Sequence, residues 1–99
     1  MTAVVNTADQ FAFTPARERL ARLLLELSDR FGKNEDEGIR ITLKLKREDL
    51  AQMAAVTVET VVRLLHDFQD ARLITVHGRE LTVVNTNRLT KIAHISLSD

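Results

Sequence analysis

Arg47-Glu48-Asp49-Leu50-Ala51-Gln52-Met53-Ala54-Ala55-Val56-Thr57-Val58-Glu59-Thr60-Val61-Val62-Arg63-Leu64-Leu65 carries two helical patterns on either side of a break too short to be a loop. Leu50, Met53 and Ala54 recur at helical spacing and predict a short helix that starts at Arg47 and ends near Ala55. Val56-Thr57 makes the connection. Thr57 suits an N-cap, and Val61, Leu64, Leu65 and Phe68 form the apolar face of a second helix over about 58–71. Two helices joined by so tight a turn make a helix-turn-helix.

Upstream, Thr14-Pro15 pairs a capping residue with the residue best suited to a first helical position, and Leu20, Leu23, Leu24, Leu27 and Phe31 follow at helical spacing. This predicts a helix over 15–31. Gly32 to Gly38 is polar and bounded by glycines, so it reads as a loop. Ile39, Ile41, Leu43 and Leu45 then alternate with Arg40, Thr42, Lys44 and Lys46, the pattern of a half-buried strand. Downstream of Arg72, Leu73-Ile74-Thr75-Val76 and Leu81-Thr82-Val83-Val84 flank the turn His77-Gly78-Arg79-Glu80 and predict a hairpin. Asn85-Thr86-Asn87 caps a last short helix carrying Leu89, Ile92 and Ala93. The expected organisation is an N-terminal arm over 1–13, one domain over 14–95 and a tail over 96–99. The order helix, strand, helix, turn, helix, hairpin, helix is that of a winged helix-turn-helix, an α+β fold that is mainly α.

Composition narrows the function classes. Ninety-nine residues, 44% hydrophobic and 28% charged, fit one compact domain. Fourteen Lys and Arg balance fourteen Asp and Glu, so bulk charge argues for no polyanionic partner, and any such argument must come from where the charges lie. There is no cysteine, which removes disulfides, thiolate nucleophiles and the usual structural zinc sites. The longest apolar runs, such as Leu23-Leu24-Leu25, fall far short of the ~20 residues of a membrane span. These features predict a soluble, cytoplasmic chain with no membrane partner. His66, His77 and His94 lie at no metal-ligand spacing, and Ser28, Ser96 and Ser98 lack a nucleophile motif. Glu35-Asp36-Glu37 has no further ligands at the interval of a metal loop. Neither an enzyme nor a metal or cofactor site is expected in this segment.

The stretch Arg47 to Ala54, the run Thr57-Val58-Glu59-Thr60-Val61-Val62-Arg63-Leu64-Leu65, and then Leu73-Ile74 and His77-Gly78-Arg79 closely resemble the C-terminal DNA-binding domain of Crp/Fnr-type transcription regulators. The similarity runs from about 14 to 93. Val58 ahead of Glu59 resembles the Fnr-like members, whereas Crp has Arg there. Three residues depart from the family pattern: Lys46 stands where a capping Thr is usual, Ala55 where the turn has Gly, and Val62 where Ser or Gly is common. Ala55 must accept a left-handed backbone or alter the turn. The resemblance implies a two-fold symmetric double-stranded DNA site, a homodimer and RNA polymerase as partners of the full-length regulator, and an effector-binding sensor domain with a long dimerisation helix, which 99 residues cannot hold. The expectation is therefore an excised domain, with a free-standing homologue as the alternative.

Elementary chemistry assigns the reading face. Glu59, Val62, Arg63 and His66 share one stripe of the second helix, opposite Val61, Leu64, Leu65 and Phe68. Arg63 offers two parallel donors that match guanine O6 and N7, and Glu59 accepts from cytosine N4. The bland alternative is an exposed Glu59–Arg63 ion pair. Val58 and Val62 suit thymine methyls, with Val58 equally suited to packing beneath the turn. Base contact is thus expected from Val58, Glu59, Val62 and Arg63. Thr57 and Thr60, near a helix N-terminus, suit phosphate, though capping alone also explains Thr57. Lys46 and Arg47, with Arg40 and Lys44 before them, could grip the flanking backbone; protection of a strand edge serves equally for Arg40 and Lys44. His77 and Arg79 at the wing tip complete the expected phosphate contacts. The competing class is a winged helix used for protein docking, whose affinity would scarcely respond to salt.

Overall fold

The computed structural model describes residues 14–93. Along this span run α1 (Ala16–Phe31), β1 (Gly32–Glu35), β2 (Gly38–Ile41), α2 (Arg47–Ala54), α3 (Val58–Asp70), β3 (Ile74–His77), β4 (Glu80–Val83) and α4 (Thr86–Ala93). The arm expected over 1–13, the tail over 96–99 and the last two residues of the expected domain lie outside the described residues. The fold is the expected winged helix-turn-helix: mainly helical, with a four-stranded antiparallel sheet in the order β1-β2-β4-β3.

Two expectations at the start of the fold need correction. Thr14 does not cap α1. Pro15 precedes the helix with ψ 145° and no side-chain cap bond, while its carbonyl accepts the Arg19 N–H at 3.1 Å. The polar segment expected as a loop supplies β1, which pairs with β2 from Gly32↔Ile41 to Glu35↔Gly38 around a turn at Asp36-Glu37. All four β1 residues are exposed, so the strand has no buried side to impose an alternating pattern. Gly32 allows the chain to leave α1 directly into this strand, because a Cβ there would collide with the Ser28 carbonyl oxygen and the Ile39 side chain.

The expected strand over 39–46 is shorter than its pattern. The ladder ends at Ile41, after which the Thr42 N–H and hydroxyl both donate to the Phe31 carbonyl at 2.8 Å. Leu43 and Leu45 still pack against the core from irregular chain. Strand β2 also pairs with β4, Ile39 opposite Val83 and Ile41 opposite Leu81, which fuses the wing hairpin and the β1–β2 hairpin into one sheet. The wing turn is tighter than expected: His77 pairs with Glu80, leaving Gly78-Arg79 as a two-residue loop. Gly78 takes φ +64° and Arg79 is not left-handed, as in the Gly-first hairpin turns that match strand twist.

The core lies between α1, the helix-turn-helix pair and the sheet. Phe68, Leu20, Leu24, Leu50 and Leu73 are all 0% exposed. Burial of each such side chain contributes about 1.5–3 kcal/mol. Two residues of the expected stripes fall outside: Met53 is 52% exposed and Phe31 40%. In α2 the inward face is Leu50, Ala51 and Ala54, so Met53 is turned away. Phe31 lies at the end of α1, where the chain departs into the exposed strand β1.

Candidate nucleic-acid interface

The helix-turn-helix depends on how α2 ends. Ala55 is left-handed at φ 59° and ψ 48°. Its N–H donates to Gln52 O at 3.3 Å, and the Val56 N–H to Ala51 O at 2.9 Å. This pair of bonds is the Schellman closure normally given to glycine. An alanine there carries a left-handed cost of roughly 1–2 kcal/mol. Of the two outcomes open to Ala55, a left-handed backbone or an altered turn, the structure has the first. Helix α3 ends the same way, with Arg72 at φ 61°, its N–H on Gln69 O and the Leu73 N–H on Phe68 O, both at 2.9 Å.

Sequence reasoning missed what supports the first of these closures. Arg19 of α1 donates from Nε to Ala54 O at 3.0 Å and from Nη2 to Ala55 O at 3.3 Å, and its Nη1 bonds the Thr14 carbonyl. The one available signal was Ala55 itself, a non-glycine residue at the turn whose left-handed backbone carries a Cβ penalty that added contacts can offset.

Helix α3 is oriented by complete burial of its inner face: Val61 and Phe68 at 0%, Leu65 at 2% and Leu64 at 4%. Val58, Glu59, Val62, Arg63 and His66 are exposed on the other side. Val58 and Val62 keep 37% and 43% of their surface, leaving two apolar β-branched side chains facing solvent. The Glu59–Arg63 ion pair that sequence allowed is not formed; the described ion pairs are Glu26–Arg30 and Glu35–Arg40. Glu59 and Arg63 therefore present their polar groups outward.

The N-terminus of α3 is closed by Thr57, whose Oγ1 accepts the Thr60 N–H at 3.1 Å and shares a hydrogen bond of 2.9 Å with Thr60 Oγ1. Thr57 is thus an N-cap, as the capping alternative held. At α2 the cap position is Lys46. An ammonium cannot accept a bond, so only the return half of a capping box operates: the Lys46 N–H donates to Asp49 Oδ2 at 2.9 Å. The Lys46 side chain is exposed. Arg47 reaches across the molecule, donating from Nη1 to Gly78 O at 3.4 Å, so the wing turn stands beside the first turn of α2. His77 precedes that turn, Arg79 is its second residue, and both are exposed.

Arg40, read as a possible backbone grip, is occupied instead by Glu35 across the β1–β2 hairpin, Nε to Oε2 at 2.9 Å. That hydrogen bond and the carboxylate charge raise its pKa above the ordinary arginine value. Lys44 lies beyond the end of β2 and guards no strand edge. Among the described residues no three His, Cys, Asp or Glu side chains converge as metal ligands, and no helix is long and apolar enough to cross a membrane.

Residues 18–92 match the Crp-like helix-turn-helix domain. The chain is 35% identical over 88 residues to the CRP-like cAMP-activated global transcriptional regulator of Mycobacterium tuberculosis (strain ATCC 25618 / H37Rv), covering 89% of this chain and 39% of that protein. It is 36% identical over 81 residues to the fumarate and nitrate reduction regulatory protein of Vibrio cholerae, covering 82% of this chain and 32% of the relative. The chain therefore spans well under half the length of these regulators. In structure it is similar to the CO-dependent transcription factor CooA from Carboxydothermus hydrogenoformans, with TM-score 0.75 at 28% identity over 91% of this chain and 42% of that one. A family match over most of the described residues, together with identities of 35% and 36% to full-length regulators, places the fold: the chain belongs to the Crp-like helix-turn-helix family, the winged helix-turn-helix of CRP/FNR-type transcription regulators.

Proposed function

We propose that this domain binds double-stranded DNA in a sequence-specific manner, with α3 in the major groove reading one half of a palindromic site. The observation that carries this reading is the outward face of α3, where Glu59 and Arg63, unpaired with each other, stand among exposed Val58 and Val62. Base edges in the major groove offer the complementary set: paired acceptors for Arg63, a donor for Glu59 and thymine methyls for the valines. Lys46, Arg47, Thr57, Thr60, His77 and Arg79 are the phosphate contacts of this reading. Arg47 serves it in two ways, as a cation and as the tie that brings the wing to α2. The Thr57 hydroxyl is engaged in the cap, which leaves Thr60 as the freer hydroxyl donor.

In a full-length regulator the proposal extends to a cytoplasmic homodimer that places two copies of α3 on the two half-sites and works with RNA polymerase. The Val58-Glu59 order favours a half-site of the TTGA type. Selection of duplexes from a random pool with this chain, followed by a salt titration of the selected site, tests the reading. Enrichment of one motif, with affinity falling steeply as salt rises, supports it. Absence of enrichment, or binding to a protein target that is indifferent to salt, replaces it with the docking function of a winged helix.

A further inference from the structure

The geometry points to Arg19, on α1 and outside the proposed DNA-contacting face, as the residue that positions the recognition helix, through the left-handed turn at Ala55. This rests on the reading of α3 as the DNA-reading helix. The Schellman closure satisfies the carbonyls of Ala51 and Gln52, but leaves those nearest the turn without an amide partner from it. Arg19 meets two of them: Nε donates to Ala54 O at 3.0 Å and Nη2 to Ala55 O at 3.3 Å. The remaining arm of the guanidinium bonds the carbonyl of Thr14, two residues before α1 begins.

One rigid planar group therefore connects the entry into α1, the last residue of α2 and the residue whose backbone sets the direction of α3. Only Val56 and Thr57 separate Ala55 from the first turn of α3. Small changes in φ and ψ at Ala55 swing the whole of α3 relative to α2. Glycine would adopt the left-handed conformation without a Cβ penalty; alanine carries one, and the bonds from Arg19 to the Ala54 and Ala55 carbonyls offset it. Guanidinium is suited to this because it presents several N–H donors in a fixed plane, whereas an ammonium acts as a point charge. Arg19 and Ala55 are thus a matched pair: the carbonyl bonds of the arginine offset a penalty that a glycine would not carry.

The test is a cycle of Arg19→Ala, Ala55→Gly and the double variant, with Arg19→Lys as a fourth protein. Three readouts are taken: thermal melting, affinity for the selected and a random duplex, and amide hydrogen exchange at Val56 and Thr60. Arg19→Ala is expected to weaken specific binding tenfold or more, to affect random duplex much less, and to speed exchange at Val56. Ala55→Gly should change binding little in the parent yet restore most of the loss in Arg19→Ala. Arg19→Lys should restore little. If Arg19→Ala does not fold, the same comparison is made between Arg19→Lys and Arg19→Lys with Ala55→Gly. Parent-like specific affinity and exchange in Arg19→Ala, or an equal effect of Ala55→Gly in both backgrounds, overturns the proposal. If the parent binds no duplex, the DNA reading fails by itself; the exchange data still decide whether Arg19 holds the turn.

Discussion

Arg47 and Gly78, 31 positions apart in the chain, meet in a hydrogen bond of 3.4 Å from the guanidinium to the carbonyl at the tip of the wing. The bond is long and exposed, so it adds little to stability. Its consequence is geometric, since it marks the wing turn at Gly78, between His77 and Arg79 in the chain, as lying against the first turn of α2.

Arg47→Ala is expected to lower the melting temperature by no more than about 8 °C, because a net contribution of at most about 1 kcal/mol is lost. Binding to specific and random duplexes should weaken together, through loss of a cation and of wing placement. A calorimetric melt alongside fluorescence anisotropy on both duplexes checks this. Selective loss of the specific complex alone would reassign Arg47 to base reading.

Arg63→Ala and Lys46→Ala should separate sequence reading from backbone grip. The first is expected to cost about 1–3 kcal/mol of discrimination between the selected site and a single-base variant. The second should weaken all duplexes alike and reduce the slope of log affinity against log salt by about 1. Equal losses on specific and random DNA for both variants would refute the assignment of roles.

Leu64→Ala and Phe68→Ala test the orientation of α3. Both side chains are buried in the core, at 4% and 0% exposure. Truncation should cost about 2–5 kcal/mol for the leucine and about 3–5 for the phenylalanine. In a domain of this size either loss consumes much of the total stability. Urea unfolding followed by circular dichroism measures it, and a parent-like midpoint would show that this face of α3 is not the one that packs.

Val58→Arg tests the proposed half-site. Val58 offers only apolar contact, whereas arginine adds donors for guanine. The parent is expected to prefer inverted TTGA half-sites over TGTGA, and the variant to shift toward TGTGA. Gel shifts with both inverted repeats report the preference. A parent that already favours TGTGA, or a variant with no shift, would remove Val58 from the reading set.

The helices of the reading unit were legible in sequence because each buries one face against a single core, and a one-sided burial imposes a period of 3.6 on the apolar residues. Leu64, Leu65 and Phe68 belong to that period, and Thr57 marks its start by chemistry that needs no tertiary contact. At Ala55 the sequence left two outcomes, a left-handed backbone or an altered turn, and the tertiary structure decided for the first. Strand β1 was not legible, because it is exposed on both sides and is held to β2 by backbone pairing and the single Glu35–Arg40 ion pair, neither of which imposes a period on its side chains. Nor could periodicity show that Met53 faces solvent, that Arg40 is bound to Glu35 and so withdrawn from the basic group, or that Glu59 and Arg63 remain apart. The contacts of Arg19 with Ala54 and of Arg47 with Gly78 span 35 and 31 positions. Such bonds depend on where separate elements come to rest after packing. The sequence by itself therefore determined which segments form the reading helix and which of its faces is buried, while only the tertiary structure decided what fixes its angle and what stands beside it.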